Sequence, residues 1–234
     1  MTMIPPGLRR GFESLLNPIV DRLIRGKASP NLLTTLGTLV AIGSGVAFGF
    51  GTVRLGGALL LLSGVFDMLD GKVARGGGRM SPFGAFYDST LDRIAETGLF
   101  LGIAIYFLRG GLQENVVTIG VSVAILALSF GLIVSYTRAR AEGLGLECKV
   151  GVFQRAERIL GLGAPTMFFA AGPDGLLLLG IVGVLALLSV ITVVQRVSHV
   201  RKATIPVTRV EPVGEVSHRE PAFADNLREG SGGE

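Results

Sequence analysis

The chain has 234 residues, 49% hydrophobic and only 17% charged, with 35 glycines and a mean hydropathy of +0.57. A soluble domain carries about 25% charged residues and about 7% glycine, so the apolar surplus exceeds what one water-bounded core needs. Disorder, collagen and a coiled coil are excluded, and a multi-span membrane protein is the natural reading. The single cysteine, Cys148, excludes an internal disulfide framework and a Cys-rich zinc site, and 22 basic against 18 acidic residues is too mild an excess to argue for nucleic acid.

In chain order, the first element is amphipathic. Leu8, Phe12, Leu15, Leu16, Ile19, Val20, Leu23 and Ile24 recur at helical spacing, while Arg9, Arg10, Glu13, Asp21, Arg22 and Arg25 fill the other face. The pattern predicts a helix within residues 1–30 that lies on the membrane interface, the alternative being a helix docked on protein. Three stretches then run without a charge for more than about 18 positions, the length a spanning helix needs. They are Asn31–Val53, Asn115–Thr137 and Gly175 to just before Arg196. Three weaker stretches complete the set: Leu55 to about Val73, about Ala85 to Leu108, and about Arg155 to Pro173. The expected fold is an all-α integral membrane protein with six transmembrane helices over residues 31–200. Residues 201–234 are polar and aperiodic and read as a mobile cytoplasmic tail.

Basic residues of short loops stay on the cytoplasmic side. Arg22, Arg25 and Lys27, then Lys72, Arg75 and Arg79, then Arg138, Arg140, Lys149, Arg155 and Arg158, then Arg196, Arg201 and Lys202 mark alternate connections, whereas the others carry only Arg54 and Arg109. Both termini are therefore expected in the cytoplasm of a multi-pass cell-membrane protein.

Ionisable groups inside spans are costly and point to function. Asp67 and Asp70 are three apart, and Asp88 and Asp92 four apart, so each pair projects from one face of its helix. The two helices are expected to be antiparallel neighbours joined by a short Gly-rich cytoplasmic turn, so that the four carboxylates can converge in one cleft near that surface. Four crowded negative charges need cations, and all-oxygen ligands suit Mg²⁺, Ca²⁺ or Mn²⁺. Between the pairs, Gly71, Gly76, Gly77, Gly78 and Gly84 permit close backbone approach, and Arg75 offers a fork of donors to phosphate oxygens. Metal and arginine beside a glycine-rich turn suit a diphosphate. Farther along, Arg138, Arg140, Arg155 and Arg158, with Arg196 closing the sixth helix, would bind an anionic acceptor if aimed at the same cleft.

The run Asp67-x2-Asp70-Gly71-x2-Ala74-Arg75-x8-Gly84-x3-Asp88-x3-Asp92 resembles the motif of the CDP-alcohol phosphotransferase (phosphatidyltransferase) family. The resemblance implies a six-helix membrane fold, usually a homodimer, in which a hydroxyl acceptor displaces CMP from a CDP-linked lipid. It also implies two Mg²⁺ or Mn²⁺ ions per site. Asp67, Asp70 and Asp88 match metal ligands, and Asp92 matches the residue that touches the second metal and acts as general base. Asn31, Leu32, Leu33, Thr34, Gly71, Arg75 and Ser81 match positions that contact the CDP-lipid. The segments Ser135–Gly145 and Phe153–Ile159, with the ValValGlnArg run ending at Arg196, are similar to bacterial phosphatidylinositol phosphate synthases. In that group the residues matching Arg138, Arg155 and Arg196 hold the phosphate of inositol 1-phosphate. The expected partners are thus CDP-diacylglycerol, inositol 1-phosphate, membrane lipid and a second copy of the chain. Glycerol 3-phosphate is the rival acceptor. A divalent-metal transporter is the rival class, although it would place its site nearer the midplane.

Overall fold

The computed structural model describes residues 6–151 and 155–204, with side chains from Leu16 onward. The chain divides into units 1–203 and 204–234, and the first is described here. The tail expected over 201–234 lies, from residue 205, outside the described residues. Among the described residues there are seven α-helices and no strand: α1 (Pro6–Arg25), α2 (Pro30–Gly49), α3 (Val53–Gly76), α4 (Pro82–Tyr106), α5 (Glu114–Glu142), α6 (Arg155–Phe169) and α7 (Leu176–Thr204).

Local chemistry fixes the helix starts nearest the site. Pro30 and Pro82 occupy first helical positions, where a missing N–H costs nothing. Ser81 caps α4, its hydroxyl accepting from the Gly84 N–H at 3.0 Å. At the opposite end of the bundle the left-handed Gly51 (φ 79°) stops α2 at Gly49, short of the expected Val53. Helices α5 and α7 continue past their apolar stretches, to Glu142 and Thr204.

Helix α2 is central because small residues let its backbone approach partners on two sides. Gly45 faces α4 so closely that a Cβ on it would strike the backbone of Gly98, and a Cβ on Gly102 would strike the backbone of Gly45. Gly37 gives room to Phe66 of α3, and Gly57 of α3 meets Gly163 and Thr166 of α6. Helices α3 and α4 accordingly make their closest backbone approaches to α2 and not to each other. The expectation that they are direct antiparallel neighbours is corrected: α2 is the surface on which both are mounted. The main apolar cluster, including Phe48, Leu60, Ile103, Phe107, Leu162, Leu178 and Val182, fills the half of the bundle away from the site.

A smaller cluster joins α1 to the bundle: Leu16 and Val20 are buried against Leu33, Leu69 and Val73. This part of the amphipathic face is therefore covered by protein, while Ile19 remains about half exposed. Three helical segments are long and apolar enough to cross a membrane on length and composition alone: Pro30–Gly49, Glu114–Glu142 and Pro173–Thr204. The chain is a helical membrane protein. The other three stretches fall below that standard for identifiable reasons, since α3 and α4 carry the charged site and α6 has only 15 residues.

Candidate active site

Two descending helices and a five-residue turn build the acidic centre. The last three turns of α3 carry Asp67 and Asp70, the turn 77–81 reverses the chain, and the second turn of α4 carries Asp88. Gly78 adopts φ 63° within that turn, a conformation disfavoured for other residues. Arg79 ties the turn down, its guanidinium donating to the carbonyls of Lys27 and Ala28 at 2.9 Å each. Carboxylate oxygens of Asp67, Asp70 and Asp88 all lie within 4.8 Å of one another.

These residues fit a divalent cation on their own geometry. Asp70 Oδ2 and Asp88 Oδ1 are buried and accept no hydrogen bond among the described residues. Buried carboxylate oxygens without partners are strongly disfavoured unless a cation satisfies them. The donor set is all oxygen, as hard cations require.

Beside the carboxylates lies a cleft of about 540 Å³, counting the space open to solvent. Of the residues expected to contact the CDP-lipid, Asn31, Thr34, Gly71, Arg75 and Ser81 line it, together with Asp70, Asp88 and Gly84. Thr34 is within hydrogen-bond reach of Asp70. The Arg75 guanidinium folds back over Gly71, where a Cβ would sit 3.2 Å from Nη1. A Cβ on Gly84 would stand 3.1 Å from Ser81 Oγ and 3.4 Å from Asn31 Oδ1, so the bare glycine keeps the cleft open. Leu32 and Leu33 do not line it. Leu32 is 57% exposed on the outer face of α2, and Leu33 is buried in the cluster with α1. Helical periodicity turns only Asn31 and Thr34, three apart, toward the cleft.

Asp92 stands one turn deeper than Asp88 and outside the close triad. Its carboxylate is held by Arg155 of α6 and by its neighbour Arg93 at 3.3 Å. Arg155 also comes within 3.7 Å of Asp67 Oδ1, so it bridges the acidic centre and α6. The other two arginines expected at the acceptor site are placed differently. Arg196 is buried, with Nε donating to the Val150 carbonyl at 3.0 Å and Nη1 donating to that of Val134. Arg138 is exposed and paired with Glu142 at 2.8 Å, yet close enough for its charge to be felt at Arg196. Among the described residues, no ion pair or hydrogen bond gathers the three around one point.

Sequence reasoning assigned no role to Glu96, which pairs with Arg158 one turn below the Asp92–Arg155 contact. The signal was present, because Glu96 continues the i, i+4 series of Asp88 and Asp92 along one face of α4.

A family model described as CDP-alcohol phosphatidyltransferase matches residues 27–195. The chain is 40% identical over 153 residues to phosphatidylinositol phosphate synthase of Cutibacterium acnes, covering 65% of this chain and 72% of that one. It is 43% identical over 156 residues to archaetidylinositol phosphate synthase of Methanothermobacter thermautotrophicus, covering 66% and 71%. Among solved structures, Mycobacterium tuberculosis phosphatidylinositol phosphate synthase with CDP-DAG bound aligns with a TM-score of 0.67 and 32% identity over 78% of this chain and 92% of that one. The same enzyme in complex with manganese and citrate aligns with a TM-score of 0.67 and 31% identity, covering 79% and 88%. With the motif, the cleft and the fold in agreement, the chain belongs to the CDP-alcohol phosphatidyltransferase family.

Proposed function

We propose that the chain is a transferase that moves the phosphatidyl group of CDP-diacylglycerol to myo-inositol 1-phosphate, releasing CMP and leaving phosphatidylinositol phosphate in the membrane. The observation that carries this reading is the junction of three parts within one end of the bundle. A carboxylate triad sits at the wall of a glycine-lined cleft, and Arg155 brings a guanidinium to the same carboxylates. The relatives' names agree on inositol phosphate while differing in the lipid half, which supports the acceptor more than the lipid.

In this reading Asn31, Thr34, Gly71, Arg75 and Ser81 receive the CDP head. Asp67, Asp70 and Asp88, with Asp92 reaching a second ion, would hold two Mg²⁺ or Mn²⁺. Bound there, divalent cations neutralise the diphosphate and stabilise the departing CMP. Asp92 takes the proton of the acceptor hydroxyl as that oxygen forms a bond to the phosphorus carrying the diacylglycerol, and the bond from that phosphorus to CMP breaks. Arg155, in contact with Asp92, binds the acceptor's phosphate and thereby delivers the hydroxyl to the base. Arg138 and Arg196 complete the phosphate site from α5 and α7.

The chain acts in the cell membrane with six spans and both termini in the cytoplasm, the site facing the same side. The support is charge placement: the helix ends at the site carry most of the basic residues, and the opposite ends carry Arg54 and Arg109. The resemblance further supports a homodimer. The test is purified enzyme with Mg²⁺ or Mn²⁺ and CDP-diacylglycerol, offered inositol 1-phosphate, glycerol 3-phosphate, serine or inositol while CMP and the lipid product are followed. CMP with inositol 1-phosphate is expected. CMP with glycerol 3-phosphate alone would replace the acceptor, and CMP with none would sink the enzyme reading.

A further inference from the structure

The Glu96–Arg158 pair has no part in the chemistry above, yet it is among the most enclosed charge pairs of the bundle. Its side chains are only 12% and 10% exposed, and it joins α4 to α6. One turn nearer the site, Asp92 and Arg155 join the same two helices. Asp92 and Glu96 are four apart, and Arg155 and Arg158 three apart, so each helix offers both charges on one face. Both helices run inward from the site end. The result is a two-rung ladder, its outer rung at the carboxylates and its inner rung sealed.

The cavity around the inner rung is walled mainly by apolar residues such as Leu60, Leu99 and Leu162, and its other polar lining is Ser63 and the outer rung itself. Helix α6 rests on α3 and reaches α4 through these side chains, so a shift of α6 relative to α4 would leave a buried charge uncompensated, which is far costlier than the pair itself is stabilising. The third helix accommodates the pair at Gly131 of α5, where a Cβ would run into Arg158 Nη1 and Glu96 Oε1. A buried ion pair adds little stability over apolar residues of the same volume, and the best-attested use of such buried polar groups is to fix register.

We propose that Glu96 and Arg158, seated against Gly131, are a register clamp between α4 and α6 that sets where Arg155 presents its guanidinium to Asp92 and Asp67, and so where the acceptor's phosphate is held. Both are positioning residues, acting through Arg155. The inference rests on the proposed role of Arg155 as an acceptor-phosphate ligand. The CDP cleft, lined by α2, α3 and the start of α4, lies apart from the clamp.

The test separates position from folding. Glu96→Gln should raise the KM for inositol 1-phosphate on the order of 10- to 100-fold, the effect of a displaced contact, and shift the KM for CDP-diacylglycerol by less than about twofold. Gly131→Ala should act in the same direction with every charge retained. The double variant Glu96→Leu, Arg158→Leu guards against misfolding, because an apolar pair of this kind commonly preserves stability. It should bind CDP-lipid normally and still show the raised acceptor KM, and a native acceptor KM in it would overturn the clamp. A second readout is independent of the acceptor. Spin labels at Ser89→Cys on α4 and Leu160→Cys on α6, with Cys148 replaced by Ala, should give one narrow distance that broadens in Glu96→Gln. An unchanged distance would overturn the clamp whatever the substrate. A broadened distance in a protein whose parent releases no CMP with any acceptor would overturn the functional reading and leave the clamp standing.

Discussion

The proposed nucleotide side and the proposed acceptor side of the site are built in different ways. The first comes almost entirely from one unbroken stretch, Asp67 to Asp92, mounted on the start of α2 and fixed by backbone features. Ser81 caps α4, and Arg79 holds the carbonyls of Lys27 and Ala28. The second draws Arg138, Arg155 and Arg196 from three helices, and ion pairs and carbonyl contacts position them. A site held by local backbone tolerates remote changes, whereas one hung from side-chain charges between helices depends on their register. Nucleotide affinity should therefore be insensitive to α6, and acceptor affinity should follow it.

The largest effect tests whether the carboxylates are one unit. Asp88→Asn leaves a neutral ligand in the triad and should lower turnover on the order of 1,000-fold or more, since the cations carry the charge neutralisation. Titration with Mn²⁺ should show the matching loss of affinity, and retained affinity with retained turnover would break the metal assignment. Asp92→Asn should separate base from ligand. Turnover is expected to fall about 100- to 10,000-fold while CDP-lipid binding and Mn²⁺ binding at the Asp67–Asp70–Asp88 triad persist, because the base is removed and the triad is left intact. Arg155→Ala then tests the division itself. Its acceptor KM should rise on the order of tenfold, as expected for a lost charge-assisted hydrogen bond, with the CDP-lipid KM unmoved. Equal shifts in both would mean that the two sides are not independent.

That division also governs what could be read in advance. The Asp67–Asp92 run was legible because its function is written in helical spacing over 26 consecutive positions, and the structure brings three of its four carboxylates together. The three most apolar helices were legible from charge-free runs, but their limits were not: α2 stops at Gly49, and α5 and α7 run on to Glu142 and Thr204. Three further facts were not legible. The placement of α2 between α3 and α4 depends on Gly45 meeting Gly98 and Gly102, a match of small residues about 55 positions apart that no local pattern reveals. The inner pair needed the knowledge that α6, packed on α3, brings Arg158 within reach of α4, although Glu96 already stood on the acidic face. Matching Asn31 to Thr34 as a block ignored the 100° turn per residue that sends Leu32 and Leu33 elsewhere.

The smaller predictions lie on the nucleotide side. Gly84→Ala places a methyl 3.1 Å from Ser81 Oγ and 3.4 Å from Asn31 Oδ1, close enough that one of them must move. Ser81 is held by its capping bond, so Asn31 must yield and the methyl takes its space from the cleft. The CDP-lipid KM should rise about three- to tenfold, a partial steric loss, with the acceptor KM unchanged.

The smallest effect is the sharpest test of helix phase at the start of α2. Leu32 is 57% exposed, whereas Thr34 lines the cleft. If only the inward face of α2 touches the nucleotide, Thr34→Val should weaken CDP-lipid binding and Leu32→Ala should leave it within about twofold, as for a surface substitution away from the site. Isothermal titration with CDP-diacylglycerol in micelles reads both. Equal losses would mean that α2 turns or unwinds on binding, and the nucleotide side would then be less rigid than its backbone ties imply.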